Sequence, residues 1–155
     1  MELLPIPAFD DNYLWLLHNG QQAVVVDPGD EQPVLETLHK LGLKLVGILV
    51  THHHGDHTGG VDELRQASGA QVFGPKHERM PEPLQRVGEG DRLELLGCPI
   101  EVIDVPGHTK GHIAYIVHVP EQAPILFCGD TLFSAGCGRL FEGTPAQMLD
   151  SLSKL

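Results

Sequence analysis

Apolar residues recur along this chain in short runs, often alternating with polar ones, and the runs are broken by glycine, proline, asparagine and aspartate. Alternation over four to eight residues marks a strand buried on one face, and a continuous β-branched run marks one buried on both. The pattern predicts strands over Leu3–Ile6, Tyr13–Leu17 and Gln22–Val26, with Asn19-Gly20 turning the second into the third. Asp27-Pro28-Gly29-Asp30 then breaks the sheet. Asp30 or Glu31 starts a helix with Pro33 in its first turn, Val34, Leu35, Leu38 and Leu41 on one face, and Gly42 as its stop. Leu45–Val50 reads as a strand covered on both faces.

Gly59-Gly60 leads into a short helix over Val61–Ala67, ended by Gly69, and Gln71–Phe73 reads as a further strand. Residues 74–90 are rich in proline, glycine and charge without periodicity, which predicts a connecting loop with at most one helical turn. Arg92–Leu96 and Ile100–Val105 form a hairpin around Gly97-Cys98-Pro99, followed by strands over Ile113–Val119 and Ile125–Cys128. Gly136, Gly138 and Gly143 surround Arg139 in a loop held close to something. Thr144-Pro145-Ala146-Gln147 is a capping box opening a helix with Met148, Leu149, Leu152 and Leu155 at helical spacing. A chain of 155 residues in this order suits one domain over 1–155, and the strand-rich order fits the first half of a larger duplicated sandwich.

The formal charge of −11, from 21 acidic and 10 basic residues, argues against the broad positive surface that nucleic-acid binding needs. No secretory leader and no apolar run of membrane-spanning length is visible. Cys98, Cys128 and Cys137 are an odd number without paired spacing, so the default is a soluble cytoplasmic protein with Cys128 as a small core residue.

Chemistry concentrates in Thr51-His52-His53-His54-Gly55-Asp56-His57, directly after the buried strand. Neutral imidazole and carboxylate are the usual ligands of borderline divalent metals, and four imidazoles with a carboxylate gain nothing from packing at one turn. His52 and His54 sit two apart in extended backbone and point the same way; Gly55 lets the chain turn sharply so that Asp56 and His57 approach from another side. Two pairs on two sides suggest two metals. Pro106-Gly107-His108 delivers a fifth donor after another strand. His112 either ligates or braces that loop by hydrogen bonding, and bracing is favoured. Asp130 ends the strand Ile125–Cys128, well placed to bridge two cations. His18, His39, His77 and His118 read as surface or structural.

With His52, His54, Asp56, His57, His108 and Asp130 assembled, the chain resembles the metallo-β-lactamase superfamily. The resemblance implies an α/β fold, an αββα sandwich with metals at one edge of the sheets. Ile6–Tyr13, Val26–Gly29 and especially Gly129–Thr144, with its Gly-Cys-Gly-Arg and Phe-Glu-Gly-Thr, are similar to the glyoxalase II family of hydroxyacylglutathione hydrolases. That likeness implies hydrolysis of S-D-lactoylglutathione to D-lactate and glutathione, the last step of methylglyoxal detoxification. The metals' own water would act, through a metal-bridging hydroxide, without a side-chain nucleophile. By position, His52, His54 and His108 would hold one ion, Asp56 and His57 the other, Asp130 would bridge them, and Arg139 would contact glutathione. Two divalent ions are implied, zinc first, with iron or manganese also suited to the ligands.

The family's further histidine, downstream of the helix that begins near Thr144, and its C-terminal helical domain are expected to be missing here, leaving the sandwich incomplete. The ion at His52, His54 and His108 is then expected to bind more tightly than the other, and the last helix's apolar face invites self-association. Two other classes stay open: a non-catalytic metal-binding domain, and another superfamily hydrolase or an iron-dependent persulfide oxygenase.

Overall fold

In the computed structural model, which describes residues 1–155, the chain opens as an antiparallel meander of β1 (Glu2–Ala8), β2 (Asn12–His18) and β3 (Gln22–Val26). Helix α1 (Gln32–Leu41) crosses over, and β4 (Lys44–Leu49) returns parallel to β3. The single turn α2 (Gly55–Thr58) and helix α3 (Val61–Ser68) lead to β5 (Gln71–Pro75) and then β6 (Gln85–Val87), each parallel to the strand before it. These six strands form one sheet in sequence order. A second, antiparallel sheet holds β7 (Arg92–Leu95), β8 (Cys98–Asp104), β9 (Ile113–Val117) and β10 (Ile125–Phe127) in the order β10-β9-β8-β7. A small ribbon of β11 (Leu132–Phe133) and β12 (Gly136–Cys137) and the helix α4 (Pro145–Lys154) follow.

The unbroken apolar runs have a direct cause. In β3, Ala23 and Val25 face a core shared with Val34 and Leu38 of α1 and Val61 and Leu64 at α3, whereas Val24 and Val26 face Ile100, Val102, Ile113 and Tyr115 of the other sheet. Each face of the strand is therefore dry, and polar alternation would bury unpaired groups. Gly47 of β4 is small for the same reason: a Cβ there would lie 2.9 Å from Leu95 across the interface. The Tyr115 ring is fully buried between the sheets, and its hydroxyl donates to the Val50 carbonyl at 2.9 Å. That bond ties the second sheet to the end of β4, one residue before Thr51.

Several expectations change. Residues 85–87 form a strand where a loop was predicted, because β6 is held by backbone pairing with β5 and only Val87 is buried, which leaves no side-chain alternation to read. The ribbon β11–β12 likewise carries no pattern in the sequence, its side chains being exposed. Leu41 is 44 % exposed at the end of α1. In α4 the buried residues are Met148 and Ser151, whose hydroxyl donates to the Pro106 carbonyl at 2.7 Å, while Leu149 is 65 % exposed. The capping box is present, with Thr144 and Gln147 bonding reciprocally. Cys128 is half-buried at the end of β10, beside a cleft of about 680 Å³, and not part of the core. No helix is long and apolar enough to cross a membrane.

Tyr115→Phe removes the only side-chain donor to the buried Val50 carbonyl. It is expected to cost about 1–3 kcal/mol of unfolding free energy in urea titrations, with an unchanged far-UV spectrum.

Candidate metal centre

Four strand ends meet at one edge of the two sheets. Beyond β3 comes Asp27, beyond β4 the run 51–57, beyond β8 the loop 105–112, and beyond β10 Asp130. Backbone bonds stitch these ends together: Asp27 N–H donates to the Leu49 carbonyl at 2.9 Å, and Ile113 N–H to the Thr51 carbonyl at 3.0 Å.

Asp27 is buried with φ of 51°, a left-handed conformation that costs energy in a residue with a side chain. Its carboxylate accepts from Thr51 N–H at 2.7 Å and from Thr51 Oγ1 at 2.8 Å. The threonine hydroxyl has one proton, and it is donated to Asp27. Thr51 Oγ1 must then accept from His52 Nδ1, 3.0 Å away, so His52 Nε2 carries a bare lone pair. His108 is fixed in the same way: Nδ1 donates to the Arg139 carbonyl at 2.7 Å, leaving Nε2 bare. His112, fully buried, donates from Nδ1 to the Ile113 carbonyl at 3.0 Å and accepts the Asp130 N–H on Nε2 at 3.1 Å. It braces the site and stacks on His52 with ring centroids 4.6 Å apart.

The two bare nitrogens both face His54 Nδ1, His52 Nε2 at 3.1 Å and His108 Nε2 at 3.0 Å. A neutral ring has at most one proton to offer there, so lone pairs outnumber donors. Separations of roughly 3.3 Å are what tetrahedral nitrogens around one cation at about 2.05 Å would have. The donor set therefore fits a divalent ion bound by His52, His54 and His108. Burial and the surrounding histidines lower the pKa of His52, and burial with His108 and His53 lowers that of His54, which keeps both in the neutral form that ligates. Burial likewise lowers His112, to about 4.

A second group adjoins the first. Asp130 turns Oδ2 toward His108 Nε2 at 3.2 Å and Oδ1 toward His57 Nε2 at 3.3 Å, so one carboxylate faces both groups. His57 Nδ1 lies 3.2 Å from Asp27 Oδ2, an ion-pair distance. Burial opposes charge on His57, but Asp27 and Asp130 outweigh it and push the ring up to about 10. Burial would raise Asp130, yet His57 and the neighbouring histidines hold it below the usual carboxylate range. His52, His57 and Asp130 can converge on one point. Asp56 belongs to neither convergent group: it is exposed, 3.5 Å from His57 Nε2, and accepts from Asn12 Nδ2 at 3.0 Å.

Gly55 does not serve the sharp turn expected of it. It begins α2 without positive φ, and a Cβ there would meet nothing within 4 Å. The tight approaches lie elsewhere: a Cβ on Gly29 would sit 1.9 Å from the Asp56 carbonyl, and one on Gly138 1.8 Å from that of Asp130. Arg139 is exposed with its guanidinium 5.0 Å above the Phe141 ring, which meets His54 and His108 edge-on. Sequence reasoning missed the roles of Asp27, Asn12 and Phe141. Asp27 carried a usable signal, being an acid at the end of a buried strand as Asp130 is. His53, Glu78 and Glu142 form a third cluster beside the first two. His77, the next residue to Glu78, is exposed as expected.

Two packed sheets with a histidine–aspartate cluster on one edge define a class, the α/β sandwich built around a site for divalent metal. The chain belongs to the metallo-beta-lactamase superfamily, which matches residues 9–155. A hydroxyacylglutathione hydrolase of Albidiferax ferrireducens is 65 % identical over 155 residues, covering 100 % of this chain and 61 % of that protein. The chain spans about three fifths of the length of the curated relatives it matches. Among solved structures, the BLEG-1 B3 metallo-beta-lactamase superposes with a TM-score of 0.88 at 26 % identity, covering 98 % of this chain and 84 % of that one. TTHA1623 in a di-iron-bound form gives 0.79 at 29 % identity, covering 97 % and 84 %.

Asp27→Asn removes the charge that orients His57 and sets the Thr51 hydroxyl. It is expected to lower metal affinity about 10- to 100-fold in chelator competition, with the fold retained by circular dichroism.

Proposed function

We propose that this chain carries the metal centre of a hydroxyacylglutathione hydrolase and cleaves S-D-lactoylglutathione to D-lactate and glutathione. The observation that carries the reading is the convergence of the bare Nε2 atoms of His52 and His108 on His54 Nδ1, with Asp130 facing this group and His57 together. Relatives 53–65 % identical over the whole of this chain, named hydroxyacylglutathione hydrolase, support the substrate.

In this reading His52, His54 and His108 would hold one divalent ion; His57, giving up its Nε2 proton to the cation, would hold a second with Asp56, which lies 3.5 Å from it outside the convergent group, and Asp130, which faces both groups, would serve each. Zinc is the first choice, and iron or manganese suits the same ligands. Bound there, such ions lower the pKa of water and polarise a carbonyl. The chain's own residues do the rest. Asp27, Thr51 and the Arg139 carbonyl keep the ligating rings in one tautomer. Phe141 walls one side of His54 and His108, and Arg139, free in solvent above it, reaches an anionic group of glutathione. No side chain serves as nucleophile. A departing thiolate, whose conjugate acid has a pKa of about 8.5, leaves without a strong general acid. The acidic surface and the cysteine pattern fit a cytoplasmic enzyme acting on a small molecule, with no nucleic-acid partner.

The test is thiol release from S-D-lactoylglutathione by the chain loaded with zinc, iron or manganese. Turnover with at least one metal, lost on chelation, is the expected result. A folded, metal-loaded chain that leaves the thioester intact, or that instead consumes oxygen with glutathione persulfide, overturns the assignment. Arg139→Ala is expected to raise KM about 10-fold with kcat largely kept, since one charge-assisted bond to bound substrate is lost.

A further inference from the structure

Beside the metal cluster, and outside it, lies a carboxylate that no part of the proposed chemistry uses. Glu78 stands in the irregular segment between β5 and β6, and its side chain is 3 % exposed. No lysine or arginine pairs with it. A buried carboxylate without such a partner is costly unless hydrogen-bond donors replace its water.

The donors come from the two loops that carry the first metal group. Glu78 Oε2 lies 2.9 Å from Nδ1 of His53, the residue between His52 and His54. Oε1 accepts from the Thr109 hydroxyl, next to His108, and from Gly111 N–H at 3.1 Å. The approach is close: a Cβ on Gly111 would lie 2.6 Å from Glu78 Cγ. Glu142 repeats the link from the other side. Its Oε1 is 3.3 Å from His53 Nε2, and its Oε2 accepts Lys110 N–H at 2.9 Å.

We propose that Glu78 is a positioning residue for the metal centre, clamping the His52–His54 strand end to the His108 loop through His53 and Thr109, with Glu142 completing the clamp. The proposal rests on the metal-centre reading above. The span it sets is the one that brings His108 Nε2 within 3.0 Å of His54 Nδ1, on different loops 54 residues apart. A further ion in this cluster is the weaker account, because both oxygens of Glu78 and of Glu142 already face protein donors or the His53 ring. A structural role alone also falls short, since His53 and Thr109 each adjoin a proposed ligand and neither belongs to the hydrophobic core.

The experiment loads the full chain with cobalt(II) and reads its visible absorption, its affinity by chelator competition and its thermal midpoint. Glu78→Ala is expected to weaken affinity about 10- to 100-fold and to alter the visible bands. Glu78→Gln, which still accepts from Thr109 and Gly111, is expected to recover most of that loss, to within about 5-fold of the unmodified chain. Should Glu78→Ala fail to fold, Glu142→Gln carries the test, with a smaller loss in the same direction. Unchanged bands and affinity in these variants, with only a lowered thermal midpoint, overturn the clamp. Loss of one bound ion per chain with the remaining bands unchanged overturns it in favour of an ion site. An unmodified chain that binds no cobalt overturns the metal-centre reading itself.

Discussion

The contact between Asp27 and Thr51 decides what the rest of this edge can do. One carboxylate accepts hydrogen bonds from both the amide and the hydroxyl of Thr51, and the hydroxyl oxygen can then only accept from His52. The direction of a single O–H thereby selects which nitrogen of His52 is bare. The same carboxylate reaches His57, so two ring orientations depend on one acid. Holding it there requires positive φ at residue 27, a local cost that the bonds it makes offset.

Such control is available because the sheets beneath are closely packed. β3 and β4 are dry on both faces, and the buried hydroxyl of Tyr115 spans from the second sheet to the Val50 carbonyl. The loops above leave closely spaced strand ends, which lowers the entropy that orienting four imidazoles would otherwise cost. Where backbones meet, at Gly29 against Asp56 and Gly138 against Asp130, a side chain would force the loops apart.

Much of this was legible in the sequence. The buried strands, α1 with its Gly42 stop and the Thr144 capping box follow from patterns that depend on a few neighbouring residues. The histidine run was equally plain, because the grouping of ligand types needs no tertiary information. What escaped has a common physical basis. β6 and the β11–β12 ribbon are held by backbone pairing with little side-chain burial. Glu78 lies in a segment without periodicity, and its partners at 53, 109 and 111 become neighbours only when the fold closes. The Asp56 carboxylate accepts from Asn12 while lying 3.5 Å from His57, a partner on β2 that sequence spacing cannot reveal.

Arg139 shows how such an edge can diversify. Its carbonyl accepts the His108 proton, while its side chain lies in solvent over Phe141. Every amino acid supplies a carbonyl, so the side chain at 139 can vary while the histidine beneath keeps its tautomer. In the proposed function, recognition and metal chemistry thus occupy separable parts of one residue, and the first can be retuned without rebuilding the second.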